Sequence, residues 1–258
     1  MKRKPGGGGS QEDSVDLPSP SKSAVRKAGS AVRAHAYRRA QGEFVAEEDQ
    51  REVLSVVASY RQSFSSPLQS VNMSLRSYLS SLGIQGEVSQ RLKRMVTIVD
   101  KLCAREKGMD LSRMRDIGGC RVVLATDSID DLYRLAEHIQ NANASTRLID
   151  YVVSPRRSGY RALHLELERN GRTIEVQLRT AVMHKWAETA EAMGDILGLN
   201  FKWDGDTSVH GLLRLVSKAQ QAEERGSSLD EHEIGQLILL TEEVTGLLKQ
   251  RLEEGKQS

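Results

Sequence analysis

Two short segments, Gly159-Tyr160-Arg161-Ala162-Leu163-His164 and Glu175-Val176-Gln177-Leu178-Arg179-Thr180, place polar and ionisable side chains at alternate positions. Period-two alternation is the pattern of a strand with one apolar face, which leaves the other face for chemistry. Between them, Asn170-Gly171 supplies the two left-handed residues of a type I′ turn, so a two-residue loop pairs Arg169 with Arg172. Counting back along the hairpin, Leu167 meets Ile174, Leu165 meets Val176 and Leu163 meets Leu178 on the apolar face. On the other face Glu166 meets Glu175, and His164 meets Gln177. Two facing carboxylates destabilise a sheet unless a metal ion, a cation or a substrate proton accompanies them, or unless both stay solvated.

Further ionisable residues cluster at the ends of other elements. Arg115-Asp116 leads into Ile117-Gly118-Gly119-Cys120-Arg121-Val122, which puts Asp116 at the start of a strand and Arg121 inside it. The paired glycines imply close backbone approach or a bulge. Arg91, Lys93, Arg94, Lys101 and Arg105 form a basic cluster upstream, and Arg156-Arg157 a basic turn before Tyr160. Each cluster alone reads as solvated surface. Together they match the needs of nucleotide chemistry: carboxylates for Mg²⁺, cations for phosphates and a flat ring for a base.

These residues need a scaffold, and apolar periodicity supplies its outline. Val53, Val57, Tyr60 and Phe64 mark one helix, and Leu68, Val71, Leu75, Leu79 and Leu82 a second that Gly83 ends. A strand or loop at Val88 to Leu92, a helix near Met95 to Arg105 and a strand at Ile117 to Ala125 follow. Next come a helix capped by Asp127/Ser128, a strand at Leu148 to Val153, the hairpin and a helix through Val182 to Ala192. Ser228 and Glu231 are spaced as a capping box for a C-terminal helix that covers a core or a dimer seam.

The 258-residue chain has a net charge of only +2, but it is unevenly placed. Lys2, Arg3, Lys4, Lys22, Arg26, Lys27, Arg33, Arg38 and Arg39 precede Glu43, and the Gly6–Ser10 and Pro-Ser stretches lack apolar periodicity. Residues 1–42 therefore read as a basic, disordered tail that holds RNA phosphates or aids solubility. No apolar run approaches a membrane span and no secretory signal opens the chain, which points to the cytoplasm and excludes a membrane protein. Cys103 and Cys120 show no metal-type spacing, and Cys120 reads as a small core residue.

Arg115-Asp116-Ile117-Gly118-Gly119-Cys120-Arg121-Val122, Asp150-Tyr151-Val152, Ser158 to Leu165, Glu175 to Thr180 and Met183-His184-Lys185-Trp186-Ala187-Glu188 together resemble the RelA/SpoT synthetase domain. The resemblance covers a synthetase core at 85–200, and with the helical segments that periodicity gives at 43–84 before it and 201–258 after it, the chain reads as an α+β fold built on a mixed sheet. The resemblance implies a single-module pyrophosphokinase, similar to the small alarmone synthetases, that moves the β,γ-diphosphate of ATP to a ribose 3′-hydroxyl. Residue by residue, it makes Asp116 and Glu175 the Mg²⁺ ligands, with Glu175 also the base. Arg121 and Arg91 would flank the adenine of ATP, and Lys93 and Lys101 would hold phosphates. Tyr160 would stack on the acceptor base, with His164, Gln177, Arg179 and the Arg156-Arg157 turn around it. Two acceptors fit the family. Ala187-Glu188-Thr189-Ala190-Glu191 and Phe201 to Asp206 depart from the alarmone-making pattern toward the toxic branch, which modifies the 3′-terminal adenosine of tRNA, inhibits translation and implies a cognate antitoxin. With the basic tail, this favours tRNA, and GDP or GTP is the alternative. An inactive RNA-binding module is disfavoured because the Asp, Tyr and Glu positions are all filled. The C-terminal helices offer a surface for homo-oligomerisation.

Overall fold

The computed structural model describes residues 19–105, 108–143, 146–199, 201 and 205–254. The chain divides into two compact units, one made of residues up to Ser63 with Val99–Arg113 and the other of Phe64–Ile98 with the chain from Met114 onward.

In the first unit, helices α1 (Lys22–Ala40) and α2 (Glu47–Gln62) pack together, followed after α4 (Met95–Asp100) by a π-helical turn at Lys101–Arg105 and a 3₁₀ turn at Leu111–Arg113. α1 corrects the reading of 1–42 as an unstructured tail. Ser21 caps it by accepting from the Ala24 amide, and Val25, Ala28 and Val32 form a buried stripe. The high charge of this segment concealed a stripe built mostly of small residues. Residues 1–18 lie outside the described part.

The second unit is built on a five-stranded mixed sheet of order β1-β2-β5-β4-β3. Its strands are β1 (Gly86–Leu92), β2 (Gly118–Leu124), β3 (Arg147–Asp150), β4 (Leu163–Arg169) and β5 (Arg172–Arg179). β2 and β5 run parallel and the other pairs antiparallel. The hairpin register is the one counted from Asn170-Gly171, both of which have positive φ (50° and 70°). Leu163, Leu165, Leu167, Ile174, Val176 and Leu178 are all buried on the face covered by α3 (Ser65–Leu82) and α5 (Ile129–Ala142). Gly118 and Gly119 sit in unbroken ladders and so mark no bulge, and close approach holds at Gly118, where a Cβ would lie 2.9 Å from Ile174 Cδ1 and 3.3 Å from Phe64 Cδ1.

β5 passes through the Thr180 cap into α6 (Ala181–Leu197), which packs with α7 (Ser208–Glu224) and α8 (Glu231–Glu254). Trp186, Ala187, Ala190, Phe201, Leu213 and Val244 form a second core that also buries Tyr160 and Ala162. Three boundaries differ from the sequence reading. β3 stops at Asp150 because its carboxylate accepts the Val152 and Val153 amides (2.8 and 2.9 Å). The helix after Met95 changes pitch at Lys101. The capping box of α8 is Asp230 with Glu233, and not Ser228 with Glu231: the Glu233 amide donates to Asp230 at 2.8 Å and the Asp230 amide to Glu233 at 3.3 Å. On α8, Ile234, Ile238, Leu239, Leu247 and Leu252 are exposed. No helix among the described residues is long and apolar enough to cross a membrane.

Candidate active site

Opposite the α3 face, sheet register lines up the ionisable residues in two rows. Arg91, Gly119, Glu175, Glu166 and Arg147 face one another in order across the five strands, and Ser89, Arg121, Gln177, His164 and Ile149 form the next row. Over the β1, β2 and β5 part of these rows lies a cavity of about 370 Å³, lined by Arg91, Lys93, Asp116, Arg121, Glu175 and Gln177 together with Ser89, Gln90, Gly119 and Cys120. A Cβ on Gly119 would meet only the Glu175 carbonyl, at 3.7 Å, so glycine keeps this floor low.

The facing glutamates are reconciled by separate partners. Glu166 pairs with Arg115 and, at 3.9 Å, with Arg147, whereas Glu175 Oε1 lies 2.8 Å from His164 Nδ1. Burial pushes the Glu175 carboxyl up, but the hydrogen bond and charge of His164 outweigh it and hold the group below its ordinary value. Glu175 is therefore ionised at neutral pH. Such a lowered carboxyl contributes stability that is fully present above the unfolded-state carboxylate range and is lost as pH falls through the folded value. In His164→Ala burial and the nearby Asp116 charge, which raise the pKa, are opposed only by the Gln177 hydrogen bond, so the variant should be less stable than the native protein near neutral pH, and the difference should narrow on acidification because Glu175 no longer loses stability as it is protonated. Thermal unfolding followed between roughly pH 3 and 7 checks this; a difference that stays constant across that range would refute it.

His164 continues the network. Its Nε2 is 2.8 Å from the Tyr160 hydroxyl, which accepts from Arg179 at 2.9 Å, and Arg179 also donates to Gln177 at 2.9 Å. Burial raises the Tyr160 phenol, against the opposing effect of Arg179, so it stays neutral. Asp116 lies 2.8 Å from Lys93 Nζ. Arg121 is pushed down by burial and by Arg179 and Arg91, with Glu191 opposing. The Nε atoms of Arg121 and Arg179 are buried without a hydrogen-bond partner. Crowded cations with unused donors form a receptor for an anion. Cys120 offers no thiolate, since burial pushes its thiol up to about 12.

The structure thus brings Arg91, Lys93, Asp116, Arg121, Glu175 and Gln177 to one cavity, and joins His164, Tyr160 and Arg179 to it through hydrogen bonds. Tyr160 is only 5% exposed, and the Arg156 guanidinium lies over the Tyr151 and Tyr160 rings, 4.6 and 5.6 Å from their centroids. Arg157 points elsewhere, to Asp206 at 2.9 Å. Lys101 belongs to the first unit. Sequence reasoning gave no role to Ser89 and Gln90 on the cavity wall, to Tyr151 under Arg156, or to His184. Burial and the charges of Arg121 and Arg179 pull His184 down against Glu188, 3.5 Å away. A firm strand assignment for 86–92 would have put Ser89 and Arg91 on one face.

Residues 90–201 match the family model described as a region found in RelA / SpoT proteins. The matched residues contain the whole cavity apart from Ser89. Among curated relatives, it is 25% identical over 169 residues to a GTP pyrophosphokinase of Photobacterium angustum, covering 59% of this chain and 21% of that one. It is 30% identical over 132 residues to the GTP pyrophosphokinase rsh of Brucella melitensis biotype 1, covering 50% and 17%. The match spans about a fifth of the length of these relatives. Among solved structures, small alarmone synthetase 1 from Bacillus subtilis bound to its product pppGpp superimposes with a TM-score of 0.48 at 22% identity, over 63% of this chain and 93% of that one.

Proposed function

We propose that this chain is an ATP-dependent diphosphotransferase whose acceptor is the ribose 3′-hydroxyl of GDP or GTP. The observation that carries this reading is the pairing of two carboxylates, Asp116 and Glu175, with Arg91, Lys93 and Arg121 around one cavity on a RelA/SpoT-type region. Among the described residues no group of three or more His, Cys, Asp or Glu could hold a metal by itself. Two carboxylates completed by substrate phosphates suit Mg²⁺, which prefers few protein ligands and would neutralise phosphate charge here. Asp116 and Glu175 would hold it.

In this reading Arg91 and Arg121 flank the adenine and Lys93 exchanges Asp116 for phosphate oxygens. Glu175 receives the proton of the 3′-hydroxyl, whose oxygen bonds to the β-phosphorus as the bond from that phosphorus to the α-phosphate oxygen breaks and AMP leaves. His164, bonded to Oε1, and Gln177, which also hydrogen-bonds the carboxylate, fix its orientation for this work. The acceptor base takes the place of the Arg156 guanidinium over the tyrosines, with Gln177 and Arg179 beside it.

A second reading, transfer to the 3′-terminal adenosine of tRNA with translation inhibition and a cognate antitoxin, draws on the basic face of α1. Its weight is reduced by existing partners: Arg26 pairs with Asp110, Arg38 with Glu43, and Arg157 with Asp206. The test is incubation with γ-labelled ATP and either GDP, GTP or tRNA. Labelled guanine nucleotide is expected; labelled tRNA alone would move the acceptor to the second reading, and label in neither would overturn transfer. If tRNA is labelled, Lys22→Gln with Lys27→Gln should flatten the salt dependence of its binding by roughly 0.7–0.9 log units per log salt for each phosphate no longer neutralised. Transfer to GDP should stay unchanged. An unaltered slope would remove α1 from tRNA recognition.

A further inference from the structure

The loop that carries Tyr160 is held from behind by α7, a helix the transfer chemistry does not use. Just before α7 begins, Asp206 accepts from Arg157 at 2.9 Å. At mid-length the helix meets Gly159, which has φ of +92°; a Cβ there would lie 3.0 Å from the Leu213 carbonyl oxygen and from Ser217 Cβ. At its last residue, Glu224 takes two nitrogens of Arg161 at 2.8 and 2.5 Å. The two side chains are only 4% and 15% exposed.

A buried pair of this kind adds little net stability over apolar side chains of the same volume. What it adds is geometry, since a two-pronged guanidinium–carboxylate contact tolerates little rotation. Arg161 is the immediate chain neighbour of Tyr160, and a guanidinium fixed in this way fixes the peptide from which the Tyr160 ring projects. The cations on the donor side, Arg91, Lys93 and Arg121, belong instead to β1, β2 and the segment after β1.

We propose that Arg161 and Glu224 are a positioning pair for the acceptor: by locking the Tyr160 segment onto α7 they set acceptor affinity and leave ATP affinity alone. The inference rests on the diphosphotransferase reading of the site. Lysine cannot reproduce the two-pronged contact, and glutamine keeps the shape of Glu224 without its charge. Arg161→Lys and Glu224→Gln should each raise the KM for GDP about tenfold or more, leave the KM for ATP within about twofold, and speed amide hydrogen exchange across residues 157–162. The double variant Arg161→Met, Glu224→Leu keeps the site apolar and buried, so it should recover thermal stability without recovering the KM for GDP. A double variant with native KM for GDP would overturn the proposal, as would equal rises in both KM values or unchanged exchange at 157–162. If the native protein transfers diphosphate to no acceptor, the functional reading fails by itself, and a proposal for acceptor affinity falls with it. Exchange at 157–162 then decides separately whether the pair anchors the loop.

Discussion

Glu175→Gln is expected to lower kcat by roughly 10²- to 10⁴-fold, the range for removing a positioned general base. The fold should survive. Glu175 points from β5 into the cavity, its β5 neighbours Ile174 and Val176 keep their places in the core, and glutamine can still hydrogen-bond His164. Asp116→Asn should cause a loss of similar order, since it leaves the Lys93 ammonium without its carboxylate and weakens any hold on a divalent cation. Because both carboxylates act on one phosphate-bearing substrate, the double variant should be little worse than either single one. Initial rates of labelled diphosphate transfer, with thermal midpoints as the control for folding, check the pair. A properly folded variant within tenfold of native activity would end the assignment of that residue.

How much of this site could be read from the chain depended on how far apart the interacting residues lie. The hairpin was legible because Asn170-Gly171 sets a short turn, and a register once set places every side chain on one face or the other. The reconciliation of Glu166 with Glu175 was not, since Arg115 arrives from 51 positions away and only three-dimensional structure pairs it with Glu166. α1 escaped notice because its buried stripe of Val25, Ala28 and Val32 sits among arginines and lysines, and composition outweighed period. The Glu224 partner of Arg161, 63 residues on, left no local signal at all. Burial of Tyr160 likewise depends on Trp186 and on Arg156, whose positions follow from packing of α6 and from the turn before β4.

That burial gives the ring and the hydroxyl of Tyr160 separable roles. The ring makes edge contacts with Tyr151, His164 and Trp186, and the guanidinium groups of Arg179 and Arg156 lie 5.1 and 5.6 Å from its centroid, the Arg156 group being the one an acceptor base would displace. Tyr160→Ala removes the stacking surface and should weaken acceptor binding by about 1–3 kcal/mol, roughly 5- to 150-fold in KM. Tyr160→Phe keeps the surface but leaves Arg179, only 2% exposed, short of one acceptor and His164 Nε2 without its 2.8 Å partner. The expected result is an acceptor KM within a few-fold of native and a lower kcat, because the losses fall on the groups that orient Glu175 and Gln177. Desolvation of the orphaned Arg179 donor should also cost about 1–3 kcal/mol of stability, visible as a lower thermal midpoint. Steady-state kinetics with GDP varied at saturating ATP separates the two effects. Equal and severe rises in KM for both variants would mean that the hydroxyl, and not the ring, is what the acceptor requires.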